Sequence, residues 1–245
     1  IPPTHCIWTR NLLELAIKGL NNDVVGIITT HGCDRTNREF DIWRECVDVD
    51  FMYFLNSPRK LDSAALKFFI NDLNELIFQL EEHFNIRITK EGLRENIKKM
   101  NIIRKLLREI SNYRKQMILS GSEFHGIVKK VQISNKDDVI DLLKAKQEEL
   151  GERQPFSKKN YKNILLTGSD LDDTEFIRFI ESLGFQVIID DLGVGTKYFW
   201  EDIDETGDPI EAIAKYHISK PINSTKFPSY KRFEVLRRLA SDYKV

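Results

Sequence analysis

Cysteine is scarce: three in 245 residues, too few for a disulfide framework in a chain this long, which points to a reducing compartment, the cytoplasm. No charge dominates either, since 37 Lys and Arg face 38 Asp and Glu for a net charge of −1. That balance argues against a dedicated nucleic-acid binder, which carries a clear basic excess. No apolar run approaches the roughly 20 residues a membrane helix needs, and no basic, apolar and small-residue leader opens the sequence. Also missing are a P-loop lysine, a complete GxGxxG, a Ser-His-Asp order, a kinase signature and an EF-hand loop. There is no internal repeat or low-complexity tract. What remains is a soluble balance of 41% hydrophobic and 31% charged residues, with length for two small domains or one large one.

Periodicity organises the chain into three parts. Leu12, Leu15, Ala16 and Leu20 recur at helical spacing, and Gly19 with Asn21-Asn22 marks the exit. The apolar run Val24 to Ile28 reads as a strand buried on both faces. The polar stretch from Thr29 to Arg38 leads into a helix carrying Phe40, Trp43 and Val47, and Phe51 to Leu55 is a second strand. Strand, helix, strand is the parallel βαβ pattern. The middle is helical, beginning at an Asp62 or Ser63 N-cap and running through Leu66, Phe69, Ile70, Leu73, Leu76, Ile77, Leu80 and Phe84. A second helix after Thr89 turns Leu93, Ile97, Met100, Ile103, Leu107 and Ile110 inward. Ser120-Gly121-Ser122-Glu123 has capping-box spacing and opens a third, and Val139 to Leu150 forms a fourth.

A linker from Gly151 to Lys162 follows, in which Lys158, Lys159 and Lys162 read as solvated linker residues. The end returns to strand (Ile164 to Leu166), helix (Phe176, Phe179, Ile180 and Leu183 inward, Gly184 as C-cap) and strand (Val187 to Ile189). The domain expectation is 1–58 for a first α/β lobe, 59–155 for a helical region and 156–245 for the start of a second lobe.

Groups in parallel sheets work beyond the carboxyl ends of the strands. Cys33, in Thr29-Thr30-His31-Gly32-Cys33-Asp34, stands directly past the first strand, and Cys6 precedes the helix that feeds it. Two readings stand: thiolate ligands of an iron–sulfur cluster, which can come from distant points of a chain, or two buried inert cysteines. A zinc site from His5, Cys6, His31 and Cys33 has suitable ligand types without the short paired spacings. Cys46, inside a helix, reads as structural, and His83, His125 and His217 as surface or capping residues. Thr167-Gly168-Ser169 reads either as a phosphate-binding strand-to-helix turn or as a plain N-cap followed by Asp170, Asp172 and Asp173. Asp190-Asp191-Leu192-Gly193-Val194-Gly195 reads as a flexible turn after a strand.

Taken in order, several stretches resemble one family, the 2-hydroxyacyl-CoA dehydratase and benzoyl-CoA reductase subunits. Pro3-Thr4-His5-Cys6 through Arg10 resembles its cysteine-bearing entry segment. Thr30 to Asp34 with Phe40 and Trp43 resembles its strand-end "CD" motif, and Asn56-Ser57-Pro58-Arg59 its "PR" turn. Ile88-Thr89 through Leu93 and Asn101 to Leu107 resemble its helical pair, and Ser120 to Glu123 its "SG-x-E" segment. Leu165 to Ser169, then Asp190-Asp191-Leu192 with Gly195, Tyr198, Phe199 and Trp200, then Asp208 to Ala214 are similar to its later motifs.

The resemblance implies an α/β fold of two flavodoxin-like (Rossmann-like) parallel-sheet lobes with a helical insert between them. It implies a [4Fe-4S] cluster with Cys6 and Cys33 as two ligands, and an acyl-CoA thioester substrate. A second homologous subunit and an ATP-hydrolysing iron–sulfur activator protein are the implied partners. The implied reaction is radical-type dehydration of a 2-hydroxyacyl-CoA or reduction of an aromatic acyl-CoA. The rivals are a non-catalytic electron-transfer relative and a cluster-free binding module. Ser120, Gly121, Gly168 and Ser169 are the expected substrate contacts, and Glu123 is a proton-handling carboxylate or simply a capping residue. The sequence starts at Ile1-Pro2-Pro3 and stops at Val245, so the expectation is a partial chain whose third ligand cysteine lies beyond Val245. Relatives often carry cysteine where Gly193 and Pro221-Ile222-Asn223 stand here.

Overall fold

The computed structural model describes residues 6–20, 23–156, 161–168, 171–220, 228 and 230–245. Pro3 to His5, Asn21-Asn22, Lys158 and Lys159, Ser169-Asp170 and Pro221 to Asn223 lie outside the described residues. In chain order the elements are α1 (Ile7–Ile17), β1 (Gly26–Thr30), α2 (Asp34–Cys46), β2 (Phe51–Leu55), α3 (Ser63–Phe84), α4 (Lys90–Asn112), α5 (Gly121–Ile133) and α6 (Lys136–Glu152). After these come β3 (Lys162–Thr167), α7 (Thr174–Ser182), β4 (Phe185–Asp191), a 3-10 turn (Thr196–Tyr198), α8 (Pro209–Ser219) and α9 (Tyr230–Tyr243). The protein is α/β, with small parallel sheets among many helices. It divides into two compact units, the first ending at Lys90 and the second beginning at Glu91. The helical stretch expected over 59–155 is shared between them: α3 belongs to the first unit, α5 and α6 to the second.

In the first unit β1 and β2 pair in parallel, from Gly26 opposite Phe51 to Thr30 opposite Leu55. Helix α1 stops where Gly19 takes φ 68. The amides of Gly19 and Leu20 then reach back to the carbonyls of Ala16 and Leu15, the closure that a left-handed residue permits. Asp62 caps α3 by accepting from the Ala65 amide at 2.8 Å, and Asn85 ends it in the left-handed region. The reading of Val24 to Ile28 as doubly buried is corrected. The strand begins at Gly26, and Val24, Val25 and Ile28 stay exposed. Helices α2 and α3 pack on β1 and β2, and Ile28 and Thr30 of β1 remain exposed.

The second unit has the larger core. Ile103, Leu107, Ile110, Leu119, Phe124, Val128, Leu143 and Leu150 form one apolar cluster shared by α4, α5 and α6. Strand β3 pairs in parallel with β4, with a register shift between Ile164 and Leu165. Six of the seven residues of β4 are buried, which is the pattern of a strand covered on both faces. Helix α5 starts hard against it. A Cβ on Gly121 would lie 2.5 Å from Val187 Cβ and 2.6 Å from the Val187 carbonyl.

The inward face expected for α7 is also corrected. Ile177 and Glu181 are buried, whereas Phe176, Phe179 and Leu183 are exposed. Glu181 accepts from the Gly121 amide at 2.7 Å and the Ser122 amide at 3.1 Å. Drawing that carboxylate inward brings Ile177, one turn earlier, with it, and rotates the aromatic stripe outward. Replacing Gly121 by Ala should therefore destabilise the second unit by about 1–3 kcal/mol through overpacking. A denaturant titration with an unchanged midpoint would show that α5 does not need this close approach.

Candidate functional site

The first unit places its chemistry where the parallel pair ends. Because Thr30 lies opposite Leu55, the segments leaving β1 and β2 emerge at one rim. Cys33 is there as the N-cap of α2, half-buried, with extended backbone. Thr36 locks it in place: its hydroxyl accepts from the Cys33 amide at 3.0 Å and donates to the Cys33 carbonyl at 2.8 Å. Cys6 holds the equivalent position on α1, also as an N-cap and half-buried. Helices α1 and α2 pack against each other. A helix start favours negative charge, so both thiols stand where a thiolate ligand is electrostatically welcome. Cys46 differs from expectation: it is the last residue of α2 and exposed, which is not a structural core position.

Further residues complete this rim, of which the sequence reading had singled out only His31, as a zinc candidate. Arg59, from the turn after β2, points Nη2 at His31 Nε2 at 3.3 Å and lies 3.9 Å from the Asp34 carboxylate. Arginine only donates, so a hydrogen bond in this contact uses His31 Nε2 as the acceptor. The turn is held from α3, where Asp72 accepts from the Asn56 amide at 2.6 Å and from the Tyr53 hydroxyl at 3.0 Å. Burial and the Asp72 carboxylate together push the Tyr53 hydroxyl above its ordinary pKa, so it stays a donor. Of the residues offered for zinc, His5 lies outside the described residues. Among the described residues no group of three or more His, Cys, Asp or Glu is arranged to hold a metal. Two thiols at helix starts suit part of a cluster's ligand set and not a complete one.

The second unit also gathers charge past its strands. Asp190 and Asp191 close β4 and are both buried. Asp190 accepts from Arg114 at 2.9 Å and from the Thr196 amide at 2.7 Å. Asp191 lies 3.3 Å from Lys197 and 3.1 Å from Arg232, and the Thr167 hydroxyl at the end of β3 donates to it at 3.1 Å. The turn read as flexible is therefore tied down. Gly195 passes so close to Asp190 that a Cβ would strike its carboxylate. Gly168, half-buried, has Leu192 as its close neighbour, and Ser169 lies outside the described residues. Beside this turn, Arg108, Thr196, Trp200, Arg238, Asp242 and Tyr243 help to line a cleft of about 480 Å³.

The start of α5 is filled from within. Ser120 caps it by accepting from the Glu123 amide at 3.0 Å. The amides of Gly121 and Ser122 and the Ser122 hydroxyl all donate to Glu181. The Gly121 amide expected to meet substrate is thus already taken by a carboxylate of the same unit, and the Ser120 oxygen by the Glu123 amide and the Ser122 hydroxyl. Glu123 does not return to the cap as a capping box would. It pairs with Lys146 and Arg153, each at 2.9 Å. Burial raises its pKa, but the hydrogen bonds from Arg153 and Lys146 outweigh that and hold it below the ordinary range. That suits a fixed anion better than a proton donor. His125, expected as a surface or capping residue, is buried, with Nδ1 2.9 Å from the Thr174 hydroxyl and Nε2 2.9 Å from the Leu171 carbonyl.

A depressed carboxylate pKa contributes stability above its unfolded value and loses it as pH falls. Wild type should therefore exceed Glu123→Gln in urea melts at neutral pH, with the gap closing as pH drops below the ordinary value of 4.5. A gap that persists into strong acid would contradict the ion-pair account.

The family model described as 2-hydroxyglutaryl-CoA dehydratase, D-component, matches residues 1–245. A relative is one of the subunits of the benzoyl-CoA reductase of Thauera aromatica, 21% identical over 232 residues, covering 89% of this chain. The chain spans 58% of that relative's length. With the match running from the first residue to the last, the chain belongs to the family of the 2-hydroxyglutaryl-CoA dehydratase D-component.

Proposed function

We propose that this chain is part of a subunit of an iron–sulfur enzyme acting on acyl-CoA thioesters, by dehydrating a 2-hydroxyacyl-CoA or reducing an aromatic acyl-CoA. Family membership supports the enzyme class, and the names of the family and of the Thauera relative span both reactions. The observation that carries the site is the placement of Cys33 as a helix N-cap past a parallel strand, matched by Cys6 on the helix packed beside it. Both lobes are read as flavodoxin-like, from the parallel pairing of β1 with β2 and of β3 with β4.

In this reading Cys6 and Cys33 provide two thiolates of a [4Fe-4S] ligand set, the remainder coming from outside the described residues. When bound, the cluster supplies one-electron transfer at low potential, which activates a thioester or an aromatic ring conjugated with one. The residues of the chain do the rest. Thr36 fixes the Cys33 backbone at the start of α2 and reaches its sulfur at 3.8 Å. Arg59 and His31 set a cation and an imidazole at the rim that carries Cys33, where they can hold a carbonyl or hydroxyl oxygen of the substrate. Phe54 packs on Phe40 and on the His31 ring, which gives the rim an apolar side. An ATP-hydrolysing iron–sulfur activator delivers the electron, the enzyme is completed by a second, homologous subunit, and the assembly works in the cytoplasm. Among the described residues no helix is long and apolar enough to cross a membrane.

The test uses intact protein purified without oxygen, with partner subunit, activator, ATP and reductant, offered a 2-hydroxyacyl-CoA and benzoyl-CoA separately. Conversion of one thioester is expected, with Cys33→Ser losing at least about tenfold in cluster affinity and turnover together. A colourless, iron-free wild-type protein that converts neither substrate would move the reading to a cluster-free binding module.

A further inference from the structure

Arg104 is a buried cation that no carboxylate balances among the described residues. It lies in the middle of α4 and is 7% exposed. Nη1 donates to the Asn101 side-chain oxygen at 2.9 Å, and the guanidinium carbon sits 4.8 Å over the Tyr216 ring. Its Nε has no hydrogen-bond partner, and the hydroxyl of Tyr216, a side chain that is also 7% exposed, faces the guanidinium and finds no acceptor among the described residues.

The neighbouring arginines show what is missing. Arg108, one turn along α4, grips Asp202 at 2.7 and 2.8 Å, and Arg114 meets Asp190 at 2.9 Å. Glu205, an exposed residue, accepts from Asn101 at 2.9 Å and so stands one side chain removed from the guanidinium, and Glu201 acts on Tyr216 from further off without pairing with Arg104. A second cation is close by, with Lys220 Nζ 5.6 Å from the Tyr216 ring. An aromatic face and a neutral amide offset part of the cost of a buried guanidinium. They do not neutralise it, and a buried charge left without an opposite charge is strongly unfavourable. A planar guanidinium edge beside a phenol hydroxyl matches a group that offers two oxygens and a negative charge.

We propose that Arg104 and Tyr216 form a binding position for an oxyanion, a carboxylate or a phosphate, carried by a ligand of the second unit. Asn101 positions the guanidinium: its side-chain oxygen also accepts from the Ile203 amide at 2.9 Å, and its nitrogen donates to the Ile203 carbonyl at 2.7 Å. That clamps the segment after the 3-10 turn against α4 and holds the guanidinium in place. The position involves neither cysteine and stands independently of the iron–sulfur reading.

Thermal melts of the intact protein in sodium phosphate, sodium acetate and sodium chloride at matched ionic strength test this. Phosphate or acetate should raise the wild-type midpoint in a saturable way, by about 5 °C at about a hundredfold excess over Kd. A response to phosphate alone assigns the phosphate source, and one to acetate the carboxylate source. Arg104→Met should abolish the response and Tyr216→Phe should weaken it. An equal rise in Arg104→Met, or no rise beyond chloride in either salt, overturns the proposal. If Arg104→Met fails to fold, Tyr216→Phe decides, and a full-sized response in that variant overturns the proposal as well.

Discussion

Two adjacent carboxylates, buried at the end of β4, impose the strictest requirement on this protein. Ions removed from water must be paired and hydrogen-bonded, or the fold is lost. Asp190 and Asp191 meet that requirement by drawing on Arg114 after α4, Lys197 in the 3-10 turn, Arg232 on α9 and Thr167 on β3. Four separate segments thereby converge on two residues. The chain passing through Gly195 has to run flush against Asp190, and the turn that results forms one wall of the neighbouring cleft.

The first unit solves a similar problem with a lighter hand. Asp72 on α3 holds the turn after β2 through the Asn56 amide and the Tyr53 hydroxyl, and that turn carries Arg59 to His31. In both units a carboxylate holds the segment that leaves a strand, and groups able to do chemistry ride on that segment. This is how a parallel sheet presents working residues at its carboxyl ends without leaving them on loose loops. Cys33 profits from the arrangement, since its helix start is fixed by Thr36 on one side and by the strand end on the other.

Elements with local physical causes were readable from the chain alone. The Asp62 cap, the strand Phe51 to Leu55, the α4 stripe through Ile103 and Ile110 and the cap at Ser120 all follow from neighbours in sequence. Readings failed where a distant residue decides. The α7 periodicity favoured Phe176 and Phe179 inside, but the amides at the start of α5 pull Glu181 inward, a partnership 60 residues apart. Glu123 looked like a capping-box residue until Lys146 and Arg153, both C-terminal to it, claimed its carboxylate. The Arg59 and His31 pair left only the faintest trace, an Asn-Ser-Pro-Arg turn after a strand. The two cysteines were visible as candidates, and their shared role as helix N-caps needed the structure.

The functional reading stands or falls on Cys6 and Cys33 serving one metal centre. The direct measurement is thiol alkylation read by mass spectrometry, comparing anaerobically iron-loaded protein with protein stripped by chelator. Cys6 and Cys33 should be protected together in the loaded protein and labelled together in the stripped one, while exposed Cys46 is labelled in both. Equal labelling of Cys6 or Cys33 in the two states would contradict the claim.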